Sequence, residues 1–466
     1  MGKLQKIIIN NFRIHRNTIV FSGKKQIDNF LILVGANDTG KSSVLKALDL
    51  FFNEQTVTIN DFRPNLDINI ECKFENKSIK RIFKYGNTYS ESFHHKNEIP
   101  KYTFFDINNQ FDTSEIENNT IDDLILVVEN QLLRYINYNV VGYINYNATI
   151  ESYANDDNYP IAQLLNNWKV LLEDFNRTNK NILIKYRGMG VQRICALYYH
   201  IMQSIMRTNS KEFIFAIDEP ELSLHPEQQR KLIQILLHVA KYFTNIQILI
   251  ATHSPYIVNE ANTKHIFVLK HKTTKDKEGN IIALPEIKAN PLKDRVLKHY
   301  KSMAEINYLA FGEVSKDYHI ELFGYIQNQL SFKYDNDNTF KNNWDCLKVK
   351  NKNGELKIQQ MDPNGHSWLI DKVTAVDAWL VNANNVNYFK NNVNGNYKWY
   401  DTNQIDDSNY TGELRTLPYC VRNNIDHPLI KCSNKKAKKN NAQYDNIELI
   451  RQSIEIMRQA IIDNNL

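Results

Sequence analysis

One eight-residue run constrains the fold of this 466-residue chain more than any other feature. The run, Gly-Ala-Asn-Asp-Thr-Gly-Lys-Ser, extends from Gly35 to Ser42. The residues before it, Phe30 to Val34, are all apolar and suit a buried parallel strand, and residues 43–52 have the apolar spacing of a helix. A strand, a glycine-containing loop and a helix in this order are typical of a phosphate-binding loop. We therefore expect an α/β fold with a parallel sheet, and we call Gly35–Ser42 the phosphate loop.

The residue types within the phosphate loop suit a nucleotide bound together with Mg²⁺. Gly35 and Gly40 permit a tight backbone path, and the backbone N–H groups at the start of the following helix can hold phosphate oxygens. We expect Lys41 to reach the β- and γ-phosphates and the Ser42 hydroxyl to ligate Mg²⁺. The predicted nucleotide-binding residues of this segment are Gly35, Asn37, Gly40, Lys41, Ser42 and Ser43. The predicted cofactors are accordingly ATP and Mg²⁺.

Two adjacent acids supply the chemistry that a phosphate loop lacks. Asp218 and Glu219 follow the apolar run Phe213 to Ile217, which suits a second buried strand. At the end of such a strand, Asp218 could hold Mg²⁺ through water, and Glu219 could polarise the water that attacks the γ-phosphate. The predicted metal ligands are therefore Ser42 and Asp218, and the predicted catalytic base is Glu219. We call Asp218 and Glu219 the acid pair.

A histidine follows a third apolar run, which extends from Gln247 to Ala251. Thr252, His253 and Ser254 come directly after this run. A lone histidine at the end of a strand is more often a core residue than a functional one. Because this histidine follows a phosphate loop and an acid pair in the chain, we predict that His253 contacts the γ-phosphate.

A glycine-containing segment, residues 186–193, lies between the phosphate loop and the acid pair and reads Tyr-Arg-Gly-Met-Gly-Val-Gln-Arg. With the motifs in this order, residues 1–290 resemble the ABC-type ATPase heads of the RecF, SMC and OLD group of AAA family ATPases. In that group residues 186–193 occupy the place of the signature motif, so we call them the signature segment. The resemblance implies that Gly188, Gly190 and Gln192 contact ATP held by a second head, and hence a homodimer or higher oligomer formed through the heads. Arg187 stands where transporters have serine, which argues against a membrane transporter subunit.

The spacing of these segments predicts two domains. Residues 1–290 form the P-loop ABC-type ATPase head, with an inserted β and helical subdomain at about 60–180. Residues 291–466 form a mainly α-helical C-terminal domain, in which an Asn- and Lys-rich stretch at 334–353 is predicted to be a loop. The elements predicted outside the motifs are strands Asp67–Phe74, Ile79–Tyr85, His265–Lys270 and Ile281–Ile287 and helices Ile121–Tyr138, Ala162–Phe175, Met303–Gln329 and Asn446–Ile462.

The amino-acid composition bears on the cellular compartment of the protein and on its binding partners. No stretch approaches the length of about 18 apolar residues that a membrane span needs, so we expect a cytoplasmic protein with no membrane contact. The five cysteines lack paired C-x-x-C spacing, so neither a disulfide framework nor a zinc site is indicated. A net charge of +5 permits nucleic-acid binding without requiring it.

The C-terminal domain contains a second candidate site at Arg422, Asn423 and His427. Residues 421–428, Val-Arg-Asn-Asn-Ile-Asp-His-Pro, resemble the R-N-x-I-x-H motif of HEPN ribonucleases, which are helical, metal-independent and cut RNA at a dimer interface. The resemblance implies that His427 acts as general base or acid, that Arg422 stabilises the developing phosphate charge and that Asn423 orients them. The alternative is that Arg422 and His427 form a structural packing pair in a domain without activity of its own.

The compact head, the missing coiled coil and the C-terminal motif together resemble the ATPases of bacterial anti-phage systems such as Septu. This resemblance implies an ATPase that senses infection or regulates a nuclease effector, with nucleic acid as the eventual target. The nuclease would be a separate partner encoded nearby, for example of the HNH type, or the chain's own C-terminal domain acting as a HEPN-type ribonuclease gated by ATP. A RecF-like DNA repair or recombination ATPase and a structural dimerisation module stay open as alternatives.

Overall fold

The computed structural model describes most of the first 336 residues and several helices beyond them. The described residues are 3–20, 29–53, 56–87, 99–105, 114–135, 160–176, 180–206, 212–275, 281–292, 295–297, 302–336, 348–350, 356–358, 376, 379–380, 417–426, 446–463 and 466. The chain divides into two compact units, Met1–Lys293 and Asp294–Leu466. The predicted domain boundary at 290/291 falls close to this division.

Strands and helices alternate along the N-terminal unit. Its strands are β1 (Leu4–Phe12), β2 (His15–Val20), β3 (Phe30–Val34), β4 (Ile68–Phe74), β5 (Ser78–Phe83), β6 (Lys101–Phe105), β7 (Phe213–Asp218), β8 (Ile246–Ala251), β9 (Ile266–Lys275) and β10 (Ile281–Pro291). Its helices are α1 (Lys41–Asn53), α2 (Ile121–Tyr135), α3 (Pro160–Asn176), α4 (Met189–Met206), α5 (Pro226–Tyr242) and α6 (Pro255–Glu260).

Six of the described strands form a central sheet in the order β10-β9-β3-β8-β7-β6. Strand β3 pairs in parallel with β8 and β9, strand β7 pairs in parallel with β6 and β8, and β10 pairs with β9 in the antiparallel direction. Strands β3, β7 and β8 are buried at every residue, which explains why their sequences are apolar runs without alternation. The predicted α/β fold class is confirmed. Because β3, β8 and β7 are parallel neighbours, the segments that follow them lie at one edge of the sheet.

A second, antiparallel sheet contains four of the described strands in the order β2-β1-β4-β5. Ile68, Ile70, Cys72 and Phe74 alternate with more exposed residues along β4, so one face of this sheet is buried. That face, helix α1 and the central sheet share one hydrophobic core. The stretch predicted as an inserted subdomain is therefore divided: β4 and β5 complete a sheet begun by β1 and β2, whereas β6 is the edge strand of the central sheet.

Helices α2, α3 and α4 pack together beside the central sheet. The Trp168 ring on α3 lies 5.4 Å from the Tyr198 ring on α4, and both side chains are fully buried. Lys169 Nζ donates to Glu129 Oε1 over 2.7 Å and joins α3 to α2. The bounds of α2 and α3 match the two predicted helices to within a few residues, and the predicted residues 136–138 of the first lie outside the described part of the chain.

The C-terminal unit is mainly helical in its described residues. Its elements are α7 (Met303–Phe311), α8 (Lys316–Asn336), β11 (Lys348–Lys350), β12 (Leu356–Ile358), α9 (Leu417–Asp426) and α10 (Ile447–Asp463). Apolar side chains of α8, α9 and α10 meet in one core that includes Tyr318, Leu322, Ile326, Val421, Ile454 and Met457. Among the described helices of both units, none has the length and apolar character needed to cross a membrane.

The predicted single helix Met303–Gln329 is wrong, because the structure has two helices there. Helix α7 ends at Gly312, whose φ of 73° lies in the left-handed region that favours glycine as a helix C-cap. Ser315 then begins α8, since its Oγ accepts the Tyr318 backbone N–H over 3.1 Å. A left-handed glycine followed by an N-cap serine interrupts the helical hydrogen bonds that the apolar spacing alone would continue.

The predicted loop at 334–353 is wrong at residues 334–336 and 348–350. Helix α8 continues to Asn336, and strand β11 pairs with β12 in the antiparallel direction, with Val349 opposite Lys357. Residues 337–347 and 351–353 lie outside the described ranges. Backbone hydrogen bonds to a second strand outweigh the polar composition that predicted a loop.

Candidate nucleotide-binding site

The phosphate loop follows β3 and has a backbone path that only small residues permit. A Cβ on Gly40, where φ is +81°, would lie 2.6 Å from His15 Nε2. A Cβ on Gly35 would lie 2.6 Å from the backbone oxygen of Leu269. The loop is therefore pressed against strands β2 and β9, and it leads directly into α1, whose first backbone N–H groups suit a phosphate.

Lys41 lies within the phosphate loop and is only 5% exposed. Its Nζ donates to the backbone oxygens of Gly35 over 3.1 Å and Ala36 over 3.0 Å. Burial lowers the pKa of Lys41 from 10.5 to about 8, against the opposing attraction of Glu219 and Asp218. An anionic phosphate beside Nζ would stabilise the charged ammonium group, so the lysine fits the nucleotide predicted from its sequence position.

Ser42 and Asp218 meet although they are far apart in the chain. The Ser42 Oγ donates to Asp218 Oδ1 over 2.9 Å, which joins the start of α1 to the end of β7. A hydroxyl oxygen and a carboxylate oxygen in contact are hard ligands of the kind that Mg²⁺ prefers. The two predicted metal ligands are thus adjacent, and their donor set fits the predicted ion.

Glu219 and His253 lie side by side at the ends of β7 and β8. Glu219 has a φ of +46°, which is unusual for a residue with a side chain, and its N–H donates to the Ala251 backbone oxygen over 2.8 Å. His253 Nε2 is 3.9 Å from Glu219 Oε1, and both side chains are about one-third exposed. Burial and the nearby Lys41 charge lower the pKa of His253, while Glu219 opposes this shift. The imidazole is therefore neutral at neutral pH.

A second glutamate, Glu221, was not assigned a role from the sequence. Its Oε1 accepts hydrogen bonds from Thr252 Oγ1 and from the His253 backbone N–H, each over 2.8 Å. Burial raises the pKa of Glu221, although both hydrogen bonds favour its charged form. Glu221 thus fixes the backbone that presents His253. The signal for it was the run Asp-Glu-Pro-Glu, in which a third acid follows the acid pair within three residues.

His15 is another residue of the site that sequence reasoning missed. It is fully buried, its Nε2 lies 3.0 Å from the Gly40 backbone oxygen and its Nδ1 lies 2.9 Å from Thr18 Oγ1. This side chain supports the phosphate loop from the antiparallel sheet. No local sequence pattern identifies His15 as a site residue, because its partner Gly40 lies in the loop that follows a strand of the other sheet.

The signature segment begins helix α4 and is largely at the surface. Gly188 is exposed, and beyond its chain neighbours no described residue lies within 4 Å of where its Cβ would point. Gly190 packs against Ser223 so closely that a Cβ would lie 2.7 Å from the serine Cβ. Gln192 Nε2 donates to the backbone oxygen of Arg187 over 2.8 Å. Arg187 in turn donates to the Phe175 backbone oxygen over 2.9 Å, so the arginine that replaces serine anchors the segment to α3.

The remaining predicted site residues have simpler surroundings. Asn37 and Ser42 are exposed and Ser43 is half-buried at the start of α1. In the C-terminal unit, Arg422 is half-buried on α9, and its charge contributes to a lowered pKa of the buried His319, for which burial is the main cause. The Asn423 side chain and the whole of His427 lie outside the described residues, so the HEPN-like arrangement stays a prediction.

The fold and the site define a class of nucleotide-binding α/β protein in which a phosphate loop, an acid pair and a histidine follow three neighbouring parallel strands. The AAA ATPase domain family matches residues 2–167 and 128–258, which together make up more than half of the chain. The chain therefore belongs to the AAA ATPase domain family.

Other proteins are similar over smaller parts. The probable ATPase of retron Ec83 from Escherichia coli is 29% identical over 154 residues, which are 30% of this chain and 27% of that protein. The chain thus matches about a quarter of the length of this curated relative. Among solved structures, the SMC head domain from Thermotoga maritima is 12% identical with a TM-score of 0.34 and covers 63% of this chain and 100% of that one. A nucleotide-free ATP-binding cassette from an ABC transporter is 13% identical with a TM-score of 0.28, over 60% and 90% of the two chains.

Proposed function

We propose that the N-terminal unit binds Mg²⁺–ATP at the phosphate loop and hydrolyses it. The observation that carries this proposal is the 2.9 Å hydrogen bond between Ser42 Oγ and Asp218 Oδ1, because it brings the phosphate loop and the acid pair into one site. In this assignment Lys41 holds the β- and γ-phosphates, and Ser42 and Asp218 hold the metal ion. Asn37, Gly35, Gly40 and Ser43 complete the nucleotide-binding set.

Glu219 is the residue that we assign as general base. Its carboxylate is about 30% exposed, so water can reach it, and burial lowers the pKa of the neighbouring His253. A neutral imidazole can also donate one hydrogen bond to a phosphate oxygen. When bound, ATP supplies the phosphoryl group to be transferred to water, and Mg²⁺ neutralises charge on the phosphate oxygens.

We propose further that two copies associate through the signature segment. Three exposed apolar side chains support this: Tyr186 is 73% exposed, Met189 is 70% exposed and Leu222, in the turn after the acid pair, is 45% exposed. Gly190 packs against the Leu222–Ser223 backbone and so joins the two exposed segments. In this arrangement Gly188, Gly190 and Gln192 of one copy face the nucleotide of the other, and the protein is a homodimer or a higher oligomer.

At the level of the cell, we propose a cytoplasmic ATPase of an anti-phage defence system that senses infection or regulates a nuclease effector. The resemblance of its motifs to such ATPases and the partial similarity to a retron ATPase support this role. The effector would be a separate nuclease, for example of the HNH type, and nucleic acid would be its target. The C-terminal unit could then serve as the surface that contacts the effector.

One set of variants tests both the proposed ATP hydrolysis and the proposed role in defence. Purified wild-type protein should hydrolyse ATP, Lys41→Ala should fail to bind it, and Glu219→Gln should bind it with unchanged affinity while turnover falls by about 10²- to 10⁴-fold. Lys46→Ala is the matched control, because Lys46 is on the same helix but pairs with Asp49 over 2.7 Å.

Cells that carry the gene with its neighbouring genes should resist phage in plating assays, and Lys41→Ala should remove the resistance while Lys46→Ala retains it. Wild-type turnover in Glu219→Gln would refute the general base, and resistance in Lys41→Ala cells would refute the defence role.

A further inference from the structure

The turn that follows β7 holds Glu219 in an unfavourable backbone conformation. A φ of +46° is in the left-handed region, which residues with a Cβ rarely adopt unless the surrounding structure holds them there. On one side, the Glu219 N–H donates to the Ala251 backbone oxygen of β8 over 2.8 Å. Leu222 N–H closes the turn by donating to the Glu219 backbone oxygen over 3.1 Å. The direction of the Glu219 side chain therefore depends on what holds this turn.

On its other side, the turn is held by an arginine from the signature segment. Arg193 is on α4, is 5% exposed, and its Nη1 donates to the Glu219 backbone oxygen over 3.1 Å. Its Nη2 donates to the backbone oxygen of Asp218 and, over 3.4 Å, to that of Phe105 on strand β6. One guanidinium group thus bonds to the backbone of both members of the acid pair and to the neighbouring strand.

This arrangement needs an arginine rather than any cation. The guanidinium group is planar and has several N–H donors in a fixed geometry, so it can bond to separate carbonyl oxygens at once. A lysine ammonium group at the same position has a shorter and more flexible reach, and it cannot span the same oxygens. Because the guanidinium group is buried, losing these contacts would leave its charge without full compensation.

We infer that Arg193 is a positioning residue, which holds the backbone of the acid pair so that Glu219 points towards the reacting water. The inference rests on the proposed function, in which Glu219 is the general base. Arg193 contacts the backbone of Glu219 and Asp218, whereas the β- and γ-phosphates are assigned to Lys41 in the loop after β3. Replacing it should therefore lower kcat and leave KM and nucleotide affinity unchanged.

The test compares Arg193→Lys with Arg81→Lys in the full-length protein. Arg81 is a matched control, because it is also 5% exposed and its Nη1 donates to the backbone oxygens of Leu50 and Phe51, each over 2.8 Å, at the far end of α1 from the phosphate loop. Steady-state ATP hydrolysis gives kcat and KM, and titration of a fluorescent ATP analogue gives the affinity. We expect kcat to fall at least about tenfold in Arg193→Lys with the affinity within about twofold of wild type. Arg81→Lys should retain the wild-type kcat even if its Tm falls.

Hydrogen exchange provides a second measurement that does not need turnover. The backbone N–H groups of Leu222 and Leu224 donate to the Glu219 and Glu221 backbone oxygens within the turn. Both should exchange faster in Arg193→Lys than in wild type, and neither should change in Arg81→Lys. If Arg193→Lys does not fold, Arg193→Gln, which keeps one donor group, is measured in its place.

The outcomes separate this inference from the proposed function. Wild-type kcat in Arg193→Lys, an equal loss of kcat in both variants, or unchanged exchange at Leu222 and Leu224 would overturn the positioning role. If wild-type protein itself hydrolyses no ATP, the proposed function fails. In that case faster exchange in Arg193→Lys alone still supports Arg193 as the residue that holds the turn, and unchanged exchange overturns it.

Discussion

The fold holds the ammonium group of Lys41 in a buried position that suits an anionic ligand. The side chain is 5% exposed, and its Nζ bonds to the backbone oxygens of Gly35 and Ala36. Carbonyl oxygens compensate an ammonium charge less well than a phosphate would, and burial therefore lowers the pKa of Lys41 to about 8. The charged lysine destabilises the nucleotide-free protein, which is the physical reason for a strong preference for an anion at this position.

This lowered pKa predicts how stability depends on pH. Between the folded pKa of about 8 and the ordinary value of 10.5, the unfolded chain binds more protons at Lys41 than the folded chain, so stability rises with pH. From pH 7.5 to 9.5, urea denaturation of nucleotide-free wild-type protein should show a gain of roughly 2 kcal/mol relative to Lys41→Met, measured at the same two pH values. The comparison with Lys41→Met cancels the titration of the groups whose pKa does not depend on the Lys41 charge. Equal changes in the two proteins would contradict the prediction.

At the scale of single elements, two glycines of the C-terminal unit have opposite roles. Gly312 ends α7 with a φ of 73°, whereas Gly324 lies inside α8. At either position a Cβ would meet no atom within 4 Å among the described residues beyond the glycine's own neighbours. Steric contact is therefore the same at both sites, and backbone conformation alone distinguishes them.

Alanine substitutions at these glycines should shift stability in opposite directions. Gly312→Ala forces a left-handed backbone on a residue with a Cβ and should cost about 1 kcal/mol. Gly324→Ala removes a flexible residue from a helix interior and should stabilise by about 0.5–1 kcal/mol. Thermal unfolding followed by circular dichroism should rank Tm as Gly324→Ala above wild type above Gly312→Ala. If Gly312→Ala were neutral, helix α7 would not end at the position that the structure shows.

These elements also show why some of the fold was predictable and some was not. Strands β3, β7 and β8 and helix α1 were predictable because burial on all sides, or on one face, leaves a local apolar pattern. Strand β6 was not predicted, since it is defined by its pairing with β7, more than a hundred residues away. The break at Gly312 has local signals, but the apolar spacing continues across it and indicated one helix.

The same distinction between local patterns and distant contacts applies to the candidate site. The phosphate loop and the acid pair were predictable because a residue at the end of a parallel strand has a known location. Glu221 and His15 were not, because each acts through hydrogen bonds to a distant segment, Thr252 and His253 for Glu221 and Gly40 for His15. Local patterns locate the residues at strand ends, whereas the contacts that orient them depend on tertiary structure.

At the scale of the whole molecule, the question is whether one copy can complete a site. Tyr186 and Met189 flank Gly188 in the chain and are exposed, and apart from its chain neighbours no described residue lies within 4 Å of the position where a Gly188 Cβ would be. Large substitutions at Gly188 should therefore leave the fold and the nucleotide site of the same copy intact. They should block only the approach of another copy to the signature segment.

Mixing two inactive variants tests this directly. Lys41→Ala lacks a nucleotide site but has an intact signature segment. Gly188→Arg has an intact nucleotide site but a blocked signature segment, so each variant should be inactive alone. In an equimolar mixture about half of the dimers combine the two variants and contain one complete site, which should restore about a quarter of wild-type ATP hydrolysis. A mixture of Lys41→Ala with Glu219→Gln should stay inactive, because neither of its sites has both the lysine and the general base. If Gly188→Arg hydrolyses ATP alone, or if its mixture with Lys41→Ala stays inactive, the signature segment does not act on a second copy. Restored activity would mean that a complete site takes its lysine from one copy and its signature segment from another.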